Sequence, residues 1–266
     1  MEQRLSISDY SIEDKVIIVT GATKGMGFAS SKQLLKLGAK VVMVYFSDTV
    51  NARQIEAELS NDRKSQILHL KADITKAADR QRIVDETLTA FQEINVLVNN
   101  AGIPAKASFL KELEEDFDIV VDVNLKAPIF LAKLVAEQMI KQEKGGSIIN
   151  FSSVCGHRGM GGISYDAAKA GIIRATQIMA NALGKYAIRA NSISPGTHKT
   201  EMNRYHWENE TDLHKNMVGV TALKRAAEAH EIAGTVVYLA SDQSSYTTGT
   251  DIIVDGGYLS HCPGRK

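Results

Sequence analysis

Seven short apolar runs recur along this chain, and almost every one is followed by a stretch with helical spacing. They occupy residues 15–20, 40–45, 66–71, 94–98, 147–152, 188–194 and 251–254. Most are continuously apolar and β-branched rather than alternating, which marks a strand buried on both faces. Helical patterning fills roughly 28–37, 50–60, 76–92, 112–142, 164–185 and 227–240. Strands alternating with helices predict an α/β fold with one parallel sheet. Right-handed crossovers make that sheet doubly wound and Rossmann-like, with helices on both faces. The 266 residues contain no evident linker or repeat. The expectation is a loose N-terminal arm over 1–12 and a single domain over 13–266.

In a sheet of this kind, ligands bind beyond the carboxyl ends of the strands. Four unusual segments fall at such ends: Gly21-Ala22-Thr23-Lys24-Gly25-Met26-Gly27, Asn99-Asn100-Ala101-Gly102, Ser153 and Pro195-Gly196. The first lies between a strand and a helix. Its glycines let the backbone approach a pyrophosphate, and the helix N-terminus supplies N–H groups and a positive dipole end. The spacing differs from G-x-G-x-x-G, and the Gly-Lys-Ser/Thr ending of a P-loop is absent. Asp73, after the strand at 66–71, is placed either to accept from an adenine amino group or to cap its own turn.

The densest chemistry lies between Ser153 and Lys169. Gly156, Gly159, Gly161 and Gly162 make the segment after Ser153 a loop, and a helix begins near Tyr165. Positions i and i+4 share a helix face, so Tyr165 and Lys169 point the same way. A phenol has a pKa of about 10, and lowering it by roughly 3 units takes about 4 kcal/mol. A positive charge at about 4 Å supplies on the order of 4 kcal/mol at an effective dielectric of about 20. Lys169 is therefore expected to depress the phenol and make Tyr165 an acid/base group, with Ser153 hydrogen-bonding the oxygen that Tyr165 protonates. His157 reads as a solvated loop histidine.

Lys and Arg together number 31, as do Asp and Glu, so the charge balance points to neither nucleic acid nor a membrane surface. Two cysteines, Cys155 and Cys262, are too few for a disulfide framework and suggest a reduced, cytoplasmic setting. The acidic, polar start is unlike a signal peptide. No apolar run reaches membrane-spanning length. His206 and His214 lack ligand spacing, and no metal is assigned. The polar and aromatic segment 197–224, with Met202, Tyr205, Trp207 and Met217, has the composition of a mobile substrate lid.

Together these residues resemble the short-chain dehydrogenase/reductase family, in its 3-oxoacyl reductase and polyol or glucose dehydrogenase-like branch. The matching elements are Thr20-Gly21-x-x-x-Gly25-x-Gly27, Asp73, Asn99-Asn100-Ala101-Gly102, Asn124, Ser153, Tyr165-x-x-x-Lys169, Pro195-Gly196 and Thr200. The resemblance implies an NAD(P)-dependent oxidoreductase acting on a ketone or secondary alcohol. It makes Tyr165 the acid/base, Ser153 the carbonyl-orienting hydroxyl, Lys169 a ribose ligand and Asn124 part of a water relay. It assigns cofactor contacts to Gly21, Thr23, Lys24, Gly25, Met26, Gly27, Tyr45, Ser47, Asp73, Ile74, Asn100, Ala101, Gly102, Tyr165, Lys169, Pro195, Gly196 and Thr200. Ser153 precedes Tyr165 by twelve residues and Ser152 by thirteen. Thirteen is the commoner interval in the family, but the run Asn150-Phe151-Ser152-Ser153-Val154-x-Gly156 favours Ser153, with Ser152 the alternative.

Tyr45 stands where an acid would accept from the ribose 2′-hydroxyl of NAD. With Lys24 and Ser47 nearby, NADP(H) is favoured over NAD(H), and Asp48 is the residue that opposes this. The resemblance also implies a homotetramer, pairing through Ile129, Leu131, Leu134 and Met139 and through Ile172, Ile173, Ile178 and Met179. The substrate is a small carbonyl or alcohol: an acyl thioester, a sugar or polyol, a cyclic ketone or a steroid. The contrasting possibility is a non-catalytic dinucleotide-binding regulator, for which an intact Ser-Tyr-Lys set has no use.

Overall fold

A computed structural model describes residues 11–47, 66–160 and 162–261. The sheet starts from β1 (Val16–Thr20), every residue of which is buried. Beside it lie β2 (Lys40–Tyr45) and then β3 (Ile67–Lys71). On the other side follow β4 (Val96–Asn99), β5 (Gly146–Phe151), β6 (Ile188–Pro195) and β9 (Asp251–Val254). The strand order is β3-β2-β1-β4-β5-β6-β9, with every pair parallel. The chain winds outward from β1 to β3, then returns past β1 and winds the other way. The switch point therefore lies between β1 and β4, and it opens a crevice at their carboxyl ends.

Alternate strand residues feed two separate cores. Ile18, Val42, Leu97 and Ile148 pack with Ile83 and Val84 of α2 (Ala77–Phe91), Leu131 and Val135 of α4 (Ala127–Gln142) and Ala180 of α5 (Ile163–Leu183). Ile17, Val19, Met43, Val98 and Ile149 pack with Leu34 and Leu35 of α1 (Gly25–Lys36) and Val236 and Leu239 of α8 (Ala233–Ala240). Ile12, placed by its sequence in a loose arm, is buried in this second core. No helix among the described residues is long and apolar enough to cross a membrane.

The long helix expected over 112–142 is broken. It consists of α3 (Glu114–Val121), a π turn over Asp122–Lys126, and then α4. Pro128 has no N–H to give the Asn124 carbonyl, which a continuous α-helix would require. The ladder widens there, with Ala127 N–H donating to the Asp122 carbonyl, and Asn124 is buried. The helix expected over 227–240 starts later. Ala227 and Glu228 form β8, paired with β7 (His198–Lys199), and a 3₁₀ turn over Ala229–Ile232 leads into α8. A capping box between Glu228 and Glu231 begins that turn. The segment 197–224 carries α6 (Arg204–Glu208) and α7 (Asp212–Val220). The helix expected near 50–60, Asp48 and Cys262 lie outside the described residues.

Candidate active site

A cleft of about 650 Å³ opens at the switch point. The glycine loop contributes Gly21, Thr23, Lys24, Gly25 and Met26; Tyr45 and Ser47 come from the end of β2, and Asp73 and Ile74 follow β3. Asn100, Ala101 and Gly102 follow β4, Tyr165 and Lys169 come from α5, and Thr200 closes one end. Five expected residues do not line it: Gly27, Asn124, Ser153, Pro195 and Gly196. Gly27 lies behind the loop, where a Cβ would collide with the Gly21 carbonyl and the Asn100 amide. Asn124 is buried behind Gly102, accepting from Ile103 N at 3.0 Å and donating to its carbonyl at 2.8 Å. Pro195 ends β6, and Gly196 packs against Asp255. Met202, expected in the lid segment, lines the cleft, and residues that sequence reasoning missed include Phe46, Ile103, Ile119, Val123, Phe151 and Glu201. Their only sequence signal is adjacency to a strand end or to the π turn, which is too weak to single them out.

The loop is fastened across the switch point. Thr20 Oγ1 accepts from Asn100 N at 3.1 Å and Ala101 N at 3.0 Å. Asn100 Nδ2 donates to the carbonyls of Thr20 at 2.9 Å and Gly21 at 3.2 Å. Gly21 has a φ of +65°, a conformation costly for a residue with a Cβ. The first turn of α1 carries no side-chain cap and no acidic residue. A cradle of glycine backbone beneath an uncapped helix N-terminus fits a pyrophosphate, and the elongated cleft leading past Asp73 and Tyr45 fits a dinucleotide. Asp73 Oδ1 also caps its own turn, accepting from Thr75 N at 3.0 Å and Thr75 Oγ1 at 2.6 Å.

Ser153, Tyr165 and Lys169 converge, with electrostatics unlike those expected. Lys169 Nζ lies 5.5 Å from the centre of the Tyr165 ring and donates to the Phe151 carbonyl at 2.8 Å. Burial pushes the ammonium down to about 8. The phenol moves the other way: burial drives it above its ordinary value, the neighbouring Cys155 adds to the rise, and the Ser153 hydroxyl opposes it. The expectation that Lys169 depresses the phenol is thus corrected. Removing both groups from water outweighs their mutual attraction here, because the phenolate has little solvent and the ammonium is directed at a carbonyl. Tyr165 is consequently a neutral phenol at neutral pH, the form that can donate a proton.

The two serines differ in partners. Ser152 Oγ donates to the Lys169 carbonyl at 2.7 Å, while Ser153 Oγ accepts from Cys155 N at 3.1 Å and borders the phenol. His157 is exposed, as a loop histidine was expected to be, but it has partners: its Nε2 lies 2.7 Å from Asp251 Oδ2 and 3.3 Å from Ser194 Oγ. A carboxylate fixed across the sheet edge captures it. Cys155 is free, and burial raises its thiol.

Comparison with known proteins adds the following. The profile of a family described as enoyl-(acyl carrier protein) reductase matches residues 21–259. L-rhamnose-1-dehydrogenase of Scheffersomyces stipitis is 37% identical over 252 residues, covering 92% of this chain and 96% of that protein. A solved short-chain type dehydrogenase/reductase from Mycobacterium marinum superposes with a TM-score of 0.87 at 30% identity, over 97% of this chain and 99% of that one. A solved Agrobacterium tumefaciens protein with bound NADP has a TM-score of 0.85 at 30% identity, over 95% and 99% of the two chains.

The buried ammonium makes stability depend on pH. Lys169 titrates near 8 in the folded protein against an ordinary 10.5. Between those values the unfolded chain holds the proton and the folded protein does not, so stability rises with pH across that window. Relative to Lys169→Met, the wild-type unfolding free energy should gain roughly 2–3 kcal/mol from pH 7 to pH 10. Urea denaturation of both proteins at the two pH values checks this, and parallel pH profiles contradict it.

Proposed function

This chain belongs to the short-chain dehydrogenase/reductase family and is an NAD(P)-dependent oxidoreductase, and we propose that it interconverts a ketone and a secondary alcohol with Tyr165 as the acid/base group. The observation that carries this reading is the convergence of Tyr165, Ser153 and Lys169 beside a cleft that fits a dinucleotide. When bound, the nicotinamide supplies the hydride for reduction or accepts it in oxidation. In reduction the Tyr165 phenol gives its proton to the substrate oxygen as negative charge develops there, and the Ser153 hydroxyl donates a second hydrogen bond to that oxygen. Lys169 holds the ribose and, from its buried position, replenishes the phenolic proton. Its Nζ and Asn124 Oδ1 both flank Gly102, a juxtaposition that supports a water relay between them. The raised phenol favours the protonated resting state that reduction needs. A rhamnose-oxidising relative makes a sugar or polyol a first substrate class to assay. Segment 197–224 serves as the lid, with Met202 already at the cleft. A reduced cytoplasmic setting remains part of the proposal, supported by the free Cys155.

Tyr165→Phe should lower kcat by about 10²–10⁴-fold with cofactor affinity within a few fold, since it removes only the transferable proton. Activity above a tenth of wild type sinks the role. Ser153→Ala should lower kcat more than Ser152→Ala does, and the opposite ranking in folded variants moves the assignment to Ser152. A panel of ketones and sugars, followed by nicotinamide absorbance, supplies the assay.

We further propose that NADPH is preferred to NADH. Lys24 is exposed at the cleft with no ion pair among the described residues, and it shares the cleft wall with Tyr45 and Ser47. An exposed pair contributes up to about 1 kcal/mol, or roughly fivefold, so Ser47 and backbone donors must add to it. Lys24→Ala should weaken NADPH much more than NADH, and Tyr45→Asp should shift the preference toward NADH. A wild-type preference for NADH that Lys24→Ala leaves unchanged overturns the assignment.

The homotetramer also stays a proposal, with a revised surface. Leu131, Met139 and Ile172 are core residues, whereas Ile178 is 69% exposed and Phe130 and Ile119 are also exposed. A monomeric mass by light scattering at micromolar concentration contradicts it.

A further inference from the structure

The sheet edge near the site has a polar notch for which the reaction has no direct use. Ser192 and Ser194 lie two apart on β6, so they share the face that Ile188 and Ala190 present to the core beneath α5. Both serines are buried. The register sets Asp251 of β9 opposite Ser192, and Ser192 Oγ donates to Asp251 Oδ1 at 2.5 Å. The other carboxylate oxygen faces His157 at 2.7 Å, with Ser194 Oγ beside the same ring nitrogen. The Asp251 side chain is only 9% exposed. A carboxylate accepts and cannot donate when ionised, so Nε2 of His157 carries the hydrogen in both protonation states of the ring. The tether thus needs no protonated histidine.

His157 directly follows the 3₁₀ turn over Val154–Gly156, and the same turn holds Ser153. Cys155 N donates to Ser153 Oγ, Gly156 N to the Ser153 carbonyl at 2.9 Å, and His157 N to the Val154 carbonyl at 3.0 Å. On its inner side the turn packs on α5, where a Cβ at Gly156 would meet the Lys169 carbonyl. Beyond it, Gly159 faces open space. The turn is therefore pressed against α5 on one side and held to β6 and β9 by His157 on the other, with a permissive glycine loop following.

We propose that the His157–Asp251 pair fixes the turn that aims the Ser153 hydroxyl, which makes His157 a positioning residue for the reaction. The proposal rests on the reading of Ser153 as the carbonyl-orienting group. A rival tether exists in Arg158, whose guanidinium lies 5.9 Å from the centre of the Tyr258 ring. If Arg158 held the loop, His157 would be dispensable.

Two readouts separate this proposal from the assigned reaction. The first needs no turnover: in a Cys262→Ser background, the rate at which Ellman's reagent labels the half-buried Cys155 reports how often the turn opens. His157→Ala should raise that rate roughly tenfold, and His157→Gln, whose amide N–H can still reach Asp251, should not. The second is kinetic. His157→Ala should lower kcat by about 10–10²-fold at unchanged NADPH affinity by fluorescence titration, with Gln restoring most of the loss. Labelling at the wild-type rate in His157→Ala overturns the proposal whether or not a substrate has been found. So does equal loss in folded Ala and Gln variants. Should His157→Ala unfold, Asp251→Ala, which removes the accepting oxygen, reads the same two quantities, and wild-type labelling in it overturns the pair. A wild type inert toward every carbonyl tested, yet with the labelling pattern above, strikes the assigned reaction and leaves the tether standing.

Discussion

The hydrogen bonds between Thr20 and Asn100 hold together the two strands from which the chain departs in opposite directions. A parallel sheet covered on both faces has no room for polar chemistry except at its ends. At the carboxyl end, β1 and β4 each pass into a loop, and without a cross-link each loop would be free to choose its own path. Thr20 takes two backbone N–H groups from the β4 side, and Asn100 returns its amide to two carbonyls on the β1 side. Gly27 completes the joint by bringing α1 against the Gly21 carbonyl, where no larger residue fits. The floor of the crevice at this joint is hydrogen-bonded backbone, which does not rotate away.

A second joint is built around Asn124. A π turn is a weak element alone, yet here its widened ladder is compensated by two hydrogen bonds between the asparagine amide and Ile103, one accepted and one donated. The Gly102–Ile103 wall of the cleft and the helix behind it become one unit. Lys169 reaches the same place from α5, with its ammonium on the Phe151 carbonyl. Three segments distant in sequence thus meet around one glycine, and that meeting is what places a buried amine next to the crevice.

Burial is the feature with the largest chemical consequence. A lysine taken wholly out of water titrates near 8, and a phenol beside it rises rather than falls. Two opposite charges would attract strongly in such a place, but neither charge forms cheaply there. The protein alone therefore rests with a neutral phenol and an ammonium that is easily deprotonated. That arrangement suits a proton passing inward through Lys169 and out through Tyr165 better than a standing phenolate does.

The sequence by itself determined the seven strands of the parallel sheet and most of the polar and glycine residues that line the crevice. The cause is local: continuous β-branched runs can only be buried strands, glycines at fixed places can only serve turns or close approaches, and Tyr165 and Lys169 four apart must share a helix face. Family-like intervals then joined those pieces into a function. What the tertiary structure decided are the properties that depend on neighbours remote in sequence. The lodging of the Asn124 amide depends on Ile103, the direction of the phenol shift on how completely α5 is covered, and the fate of His157 on an aspartate 94 residues away. The cleft-lining Phe151, Ile119 and Val123 were illegible because an apolar residue has the same appearance in a sequence whether it faces a core or a cavity. Solvation and long-range register are sums over the whole fold, and no window of residues contains them.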